Sequence, residues 1–253
     1  MICANSAAAS PAKLWLSLAT ATATRRCIAI IWCCSKARSG WIYLSRCGCV
    51  RIAANGKRKT RIMEVKKRLY TVDDLYELQG WDSTRDRKYE LIDGELIEMP
   101  PSNVLHAWLA SELATHLRNF AGSGNLGYAF VELGAYSITD RHTLRAPNVA
   151  FFSAERLSPP FPQTFVGLMP DLAVEIKSPS NTMAELREKA AWFLQHGTRL
   201  VWLVLPDRAA AEVCRQGDDG TVDYEFVGPD GSLSGEDVLP GFELELRLLF
   251  PPS

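Results

Sequence analysis

The sequence predicts an α/β (α+β) domain in which a mixed β-sheet is flanked by helices and carries an added hairpin. Three observations predict it. Asp93-Gly94 sits between two alternating apolar segments, Lys88-Tyr89-Glu90-Leu91-Ile92 and Glu95-Leu96-Ile97-Glu98-Met99, a strong hairpin signal. Leu200-Val201-Trp202-Leu203-Val204-Leu205 is a continuous apolar run, as expected of a strand buried on both faces. Helix and strand patterns alternate along residues 63–253, which favours a sheet with helical cover.

Each element follows in order. Thr71-Val72-Asp73-Asp74 reads as a helix start, with Thr71 as N-cap and acids in the first turn, closed by Gly80. The hairpin comes next and Pro100-Pro101 ends it. Ser102 is the expected cap of a helix over 103–121, where Leu105, Leu109, Leu113 and Leu117 recur every four residues. Strands are expected over Tyr128–Ile138, Pro147–Phe152 and Leu172–Lys177, then a helix over 182–196 closed by Gly197. Trp192 and Phe193 on that helix are expected to pack on the sheet. After Leu200–Leu205, Pro206 stops the strand, and two further strands flank a turn at Gly217–Gly220 before a C-terminal tail.

The 253 residues are 47% hydrophobic and 23% charged, which excludes collagen-like, membrane-bundle and disordered classes. The formal net charge of −1 hides a split. Residues 1–63 hold no Asp or Glu, 11 of the 28 basic residues and six of the seven Cys. The remainder has 17 basic against 29 acidic residues, a net of −12. Residues 1–62 therefore read as a non-native or disordered extension, translated upstream sequence with Met63 as the natural start of a 191-residue domain over 63–253. The spacings Cys33-Cys34 and Cys47-Gly48-Cys49 fit neither a zinc site nor a disulfide framework well. The longest apolar run there, Cys27–Cys34, falls far short of the ~20 residues a membrane span needs. Leu14–Thr24 is a poor secretory core, and the acid-free stretch lacks the persistent apolar helical face of a transit peptide.

Chemistry concentrates in Pro170-Asp171-Leu172-Ala173-Val174-Glu175-Ile176-Lys177-Ser178-Pro179-Ser180. Residues two apart on a strand share a face, so Glu175 and Lys177 project together while Leu172, Val174 and Ile176 face a core. Charges inside a sheet are costly unless they pair or bind a metal. One reading is an edge-strand ion pair; the other is a metal ligand beside a cation that orients a water. Asp171, four residues from Glu175, is ~13 Å away and too far to share a metal with it. Asn148, on a neighbouring strand, is the candidate second ligand. Lys189 is expected in a surface pair with Glu185 four residues earlier. The clusters Lys66-Lys67-Arg68 and Arg85, Arg87, Lys88 read as solvated faces that could touch phosphates. No Gly-x-Ser-x-Gly elbow, His-Glu-x-x-His helix or phosphate-binding Gly-rich loop is present.

Tyr89–Leu96, Ala146–Phe151, Pro170–Ser180 and Leu200–Pro206 together resemble a bacterial restriction-endonuclease-like family (Uma2-type) of the PD-(D/E)XK nuclease superfamily, over about residues 66–250. The resemblance implies a restriction-endonuclease-like core in a cytoplasmic protein. It implies an endonuclease that hydrolyses DNA phosphodiester bonds with Mg2+ (or Mn2+) and no small-molecule cofactor. In that scheme Asn148 and Glu175 hold the metal and Lys177 orients the attacking water. Glu90 is a further ligand or a solvated hairpin carboxylate. His106 matches a family histidine, with a capping or core hydrogen-bonding role as the alternative. Lys189 matches a helix lysine that many members carry near this position and would support the site, with the surface pair to Glu185 as the favoured alternative. The family usually carries Pro-Asp where this chain has Pro147-Asn148, a loss of one negative charge that weakens magnesium binding. The competing function is a catalytically inactive nuclease fold serving as a DNA-binding or regulatory module, favoured by Asn148 and by the acidic bulk charge. A carboxylate-pair glycosidase is a third reading and lacks an aromatic sugar platform in the sequence. A homodimer is expected from the need to cut two strands; no membrane partner is.

Overall fold

The computed structural model describes residues 68–79 and 87–250, together with the backbone of three strands nearer the N-terminus. The chain divides into two compact units, Met1–Lys67 and Arg68–Ser253. In the first, β1 (Trp41–Leu44), β2 (Cys49–Ala53) and β3 (Met63–Glu64) form an antiparallel sheet in that order. Met63–Glu64 thus completes this sheet, and the division falls after Lys67. Cys33, Cys34, Cys47, the Leu14–Thr24 stretch, Lys66, Lys67 and Arg85 lie outside the described residues.

The second unit opens with α1 (Val72–Gln79). Thr71 Oγ1 accepts from the Asp74 amide and Asp74 accepts from the Thr71 amide, a reciprocal cap. The hairpin follows as β4 (Lys88–Ile92) and β5 (Glu95–Met99). Asp93 and Gly94 both have positive φ, 49° and 78°, the backbone an Asp-Gly type I′ turn requires. The reciprocal bonds of Leu91 with Leu144 tie this hairpin to the segment that leads to Asn148.

Helix α2 (Val104–Gly124) is capped by Asn103, whose side chain accepts from the His106 amide, rather than by Ser102. Leu109, Leu113 and Leu117 are fully buried, but Leu105 is exposed because it lies in the first turn, beyond the sheet. The main sheet runs β11-β10-β9-β8-β7-β6. Its strands are β6 (Gly127–Val131), β7 (Val149–Ser153), β8 (Leu172–Ile176), β9 (Leu200–Leu205), β10 (Ala210–Gln216) and β11 (Val222–Val227). Only β8 and β9 pair in parallel, and α3 (Met183–Gln195) makes the crossover between them. The strand expected over Tyr128–Ile138 ends at Val131, since Glu132 adopts a left-handed φ of 53° and leaves the ladder. The expected C-terminal tail contains a two-stranded sheet, β12 (Ser232–Ser234) with β13 (Glu243–Glu245).

The sheet has two covered faces. On one, Val149, Phe151, Leu172, Val174, Ile176 and Trp202 pack against α2 and the C-terminal segment. On the other, Ala173, Val201 and Leu203 pack against Leu186, Ala190 and Phe193 of α3. Strand β8 is therefore buried along its whole length, and Glu175 shares the α3 face with Ala173.

Candidate active site

Three charged side chains meet between β4, β8 and α3. Glu90 is 3% exposed and Glu175 4%. Lys189 Nζ lies 2.8 Å from Glu90 Oε1 and 2.8 Å from Glu175 Oε1. The contact with Glu90 is a hydrogen bond; the approach to Glu175 is an ion pair off the hydrogen-bonding direction, so Glu175 Oε1 is buried without an aligned donor. Glu90 Oε1 also accepts from the Ala146 amide at 3.0 Å. It is thus an interior group and not a solvated hairpin carboxylate.

The surface pair expected between Lys189 and Glu185 does not form. Glu185 Oε2 accepts from the amide and hydroxyl of Thr182, closing the capping box of α3. Lys189 lies three residues after Leu186 and four before Phe193, both buried, so the helix turns it inward. A lysine inside an apolar helical stripe was the sequence signal for this buried pairing.

Lys177 lies one residue past β8, and its Nζ is 3.7 Å from Asp207 Oδ2. The ammonium against Glu175 belongs to Lys189. Asp171 is fully occupied elsewhere: it accepts from the Ser153 amide at 2.8 Å and from Arg156 at 2.6 Å.

The ladder pair Val149↔Val174, extended by one residue, sets Asn148 opposite Glu175. Asn148 Oδ1 accepts from the Ile176 amide at 2.8 Å. The oxygen of the amide thus continues the ladder at the frayed end of β7, and its other polar atom is an NH2 donor that cannot ligate a cation. His106, in the first turn of α2, reaches the same place, beside Asn148, the Ile176 backbone, Glu132 and Lys189. The Asn103 cap engages its backbone amide, while its ring Nδ1 is buried without a partner. With Lys88, Ser102 and Glu132 it also lines a cleft of about 590 Å³.

Electrostatics follow from this packing. Burial pushes the Glu175 carboxyl up to about 7; Lys189 opposes the shift and the neighbouring Glu90 adds to it. Burial disfavours the charged Lys189, yet Glu175 and Glu90 more than offset that and hold its ammonium above the ordinary value. Burial lowers the His106 imidazole, against the pull of Glu132.

The donor set fits a hard divalent cation. Two buried carboxylates converge, one with an oxygen lacking an aligned donor. Among the described residues no group of three or more His, Cys, Asp and Glu forms.

Residues 72–247 match the family model Uma2, described as "Putative restriction endonuclease". The chain belongs to the Uma2 family. No curated protein matches it. Among solved structures it is similar to a crystal structure from Anabaena variabilis described as "a putative nuclease", at 22% identity and a TM-score of 0.58, covering 71% of this chain and 97% of that one. That likeness is one of fold. Among the described residues no helix is long and apolar enough to cross a membrane.

Proposed function

We propose that this Uma2 protein is a divalent metal-dependent endonuclease acting on DNA, with Glu90 and Glu175 holding Mg2+ or Mn2+ and Lys189 taking the role first expected of Lys177. The observation that carries the reading is the single ammonium of Lys189 bridging two buried carboxylates. Two buried acids share one lysine, and burial favours the protonated form of Glu175; a bound cation would stabilise the charged form. When bound, the metal would polarise a phosphoryl oxygen and lower the pKa of a water.

The chain's own groups have distinct tasks in this scheme. Glu175, whose carboxyl burial raises to about 7, would hold the cation as a carboxylate. Lys189 turns from a clamp on both acids into a donor toward the attacking water or the phosphate, and Asn148 fixes the edge of β8 through the Ile176 amide. His106 stands between the cleft and the acids and is the nearest imidazole for moving a proton.

A second reading is favoured by one specific observation. Asn148 spends its oxygen on the backbone and supplies no negative charge, so the fold could serve as an inactive DNA-binding or regulatory module. Supercoiled plasmid incubated with the protein and Mg2+ or Mn2+ separates the two. Nicking that disappears in Glu175→Ala supports the enzyme; DNA binding with no nicking by either protein supports the module. A homodimer and a cytoplasmic location belong to this proposal as well, the first because two copies cut two strands most simply.

A further inference from the structure

Arg145 is a half-buried cation without an acceptor. Its backbone is fixed on both sides: its amide donates to Ala135 O at 3.0 Å, and the Ala135 amide donates to its carbonyl at 2.9 Å. The guanidinium lies 5.2 Å from the centre of the Trp192 ring, and Trp192 stacks in turn on His196 at 4.4 Å. Nε is buried with no hydrogen-bond partner. Among the described residues no carboxylate or carbonyl accepts from this guanidinium. Other arginines differ: Arg187 grips Glu212 with two bonds, and Arg215 grips Glu225 and Glu236. Exposed Arg118 and Arg208 have water for their donors. Burying Nε with nothing to receive its proton is unfavourable unless a ligand completes it, and the two terminal nitrogens remain open to one.

The surroundings narrow the ligand. Arg145 precedes Ala146, whose amide holds Glu90, and its charge reaches Glu175. Trp192 is on α3, three residues after Lys189. The other cations nearby are committed: Lys189 to Glu90 and Glu175, Lys88 to Glu132, Arg87 to Glu98, and Lys177 beside Asp207. A planar fork of donors on an aromatic face matches a tetrahedral oxyanion with two accessible oxygens. We propose that Arg145, seated over the Trp192 ring, binds a backbone phosphate of the nucleic acid next to the Glu90–Lys189–Glu175 cluster. In a domain of net charge −12, this supplies the local positive charge that polyanion binding needs. The inference rests on the nuclease reading and adds the group that seats the substrate.

Binding of a labelled short DNA duplex to the full chain in EDTA, followed by fluorescence anisotropy between about 50 and 200 mM salt, tests it. Arg145→Ala should weaken binding roughly tenfold and lower the slope of log Kd against log salt by about one, the loss of one phosphate contact. Arg145→Lys should keep the slope and recover only part of the affinity. Duplex binding should also change the emission of the unaltered protein and not that of Trp192→Phe, a readout independent of how the Arg145 variants fold. Wild-type binding with an unchanged slope in Arg145→Ala, or an emission change of the same size in Trp192→Phe as in the unaltered protein, overturns the Arg145 assignment alone. A wild-type protein that binds no duplex at the lowest salt also overturns this assignment, whereas the nuclease reading stands or falls on plasmid nicking with Mg2+ or Mn2+.

Discussion

Lys189 Nζ stands 2.8 Å from Glu175 Oε1, joining the crossover helix to the central strand through charges that have almost no access to water. The same ammonium lies equally close to Glu90 of the hairpin. One side chain thus ties three elements together.

Removing that ammonium should destabilise the fold. Lys189→Met keeps the stem but strands two buried carboxylates, and breaking a buried pair in this way costs about 3–5 kcal/mol. Lys177→Met removes only a partly exposed contact with Asp207 and should cost less than about 1 kcal/mol. Urea denaturation at neutral pH measures both; equal effects would show that the two lysines are equivalent.

The raised carboxyl of Glu175 makes stability depend on pH. Its folded value, about 7, lies above the ordinary 4.5, so the folded state binds the extra proton between the two. This contribution is fully present below about pH 4.5 and is lost as pH rises through 7. In EDTA, the urea midpoint of the wild type should therefore fall across that window relative to Glu175→Gln. Parallel profiles for the two proteins would contradict the shift.

Asn148→Asp restores a carboxylate opposite Glu175. Without metal it should lower stability, since a third acid adds repulsion to a buried pair. With Mg2+ or Mn2+ it should bind the cation roughly tenfold more tightly or better, and it should nick plasmid faster than the wild type. Thermal denaturation with and without the ion reads the first effect, and a plasmid time course reads the second.

Much of this site was legible in the sequence, for identifiable reasons. Alternation along β8 placed Glu175 opposite the apolar row of Leu172, Val174 and Ile176, and the Asp93-Gly94 turn fixed the register that brings Glu90 inward. Lys177 follows β8 directly, its amide still bonded to Val204 O, and its ammonium lies by Asp207, a contact that the Glu-x-Lys spacing alone does not reveal. The favoured pairing of Lys189 with Glu185 does not form because the capping box occupies Glu185, which leaves Lys189 to the buried acids. The oxygen of Asn148 could not be assigned to the Ile176 amide, a bond that depends on where β7 frays. Arg145 carried no local pattern; its missing partner is a property of three dimensions.

Manganese titration followed by electron paramagnetic resonance tests the central claim most directly. If Glu90 and Glu175 hold the cation, the signal of free Mn2+ should be suppressed up to one equivalent per chain in the wild type, and both Glu175→Gln and Glu90→Gln should abolish that suppression. Uptake of one equivalent that survives both substitutions would place the cation elsewhere and contradict the account.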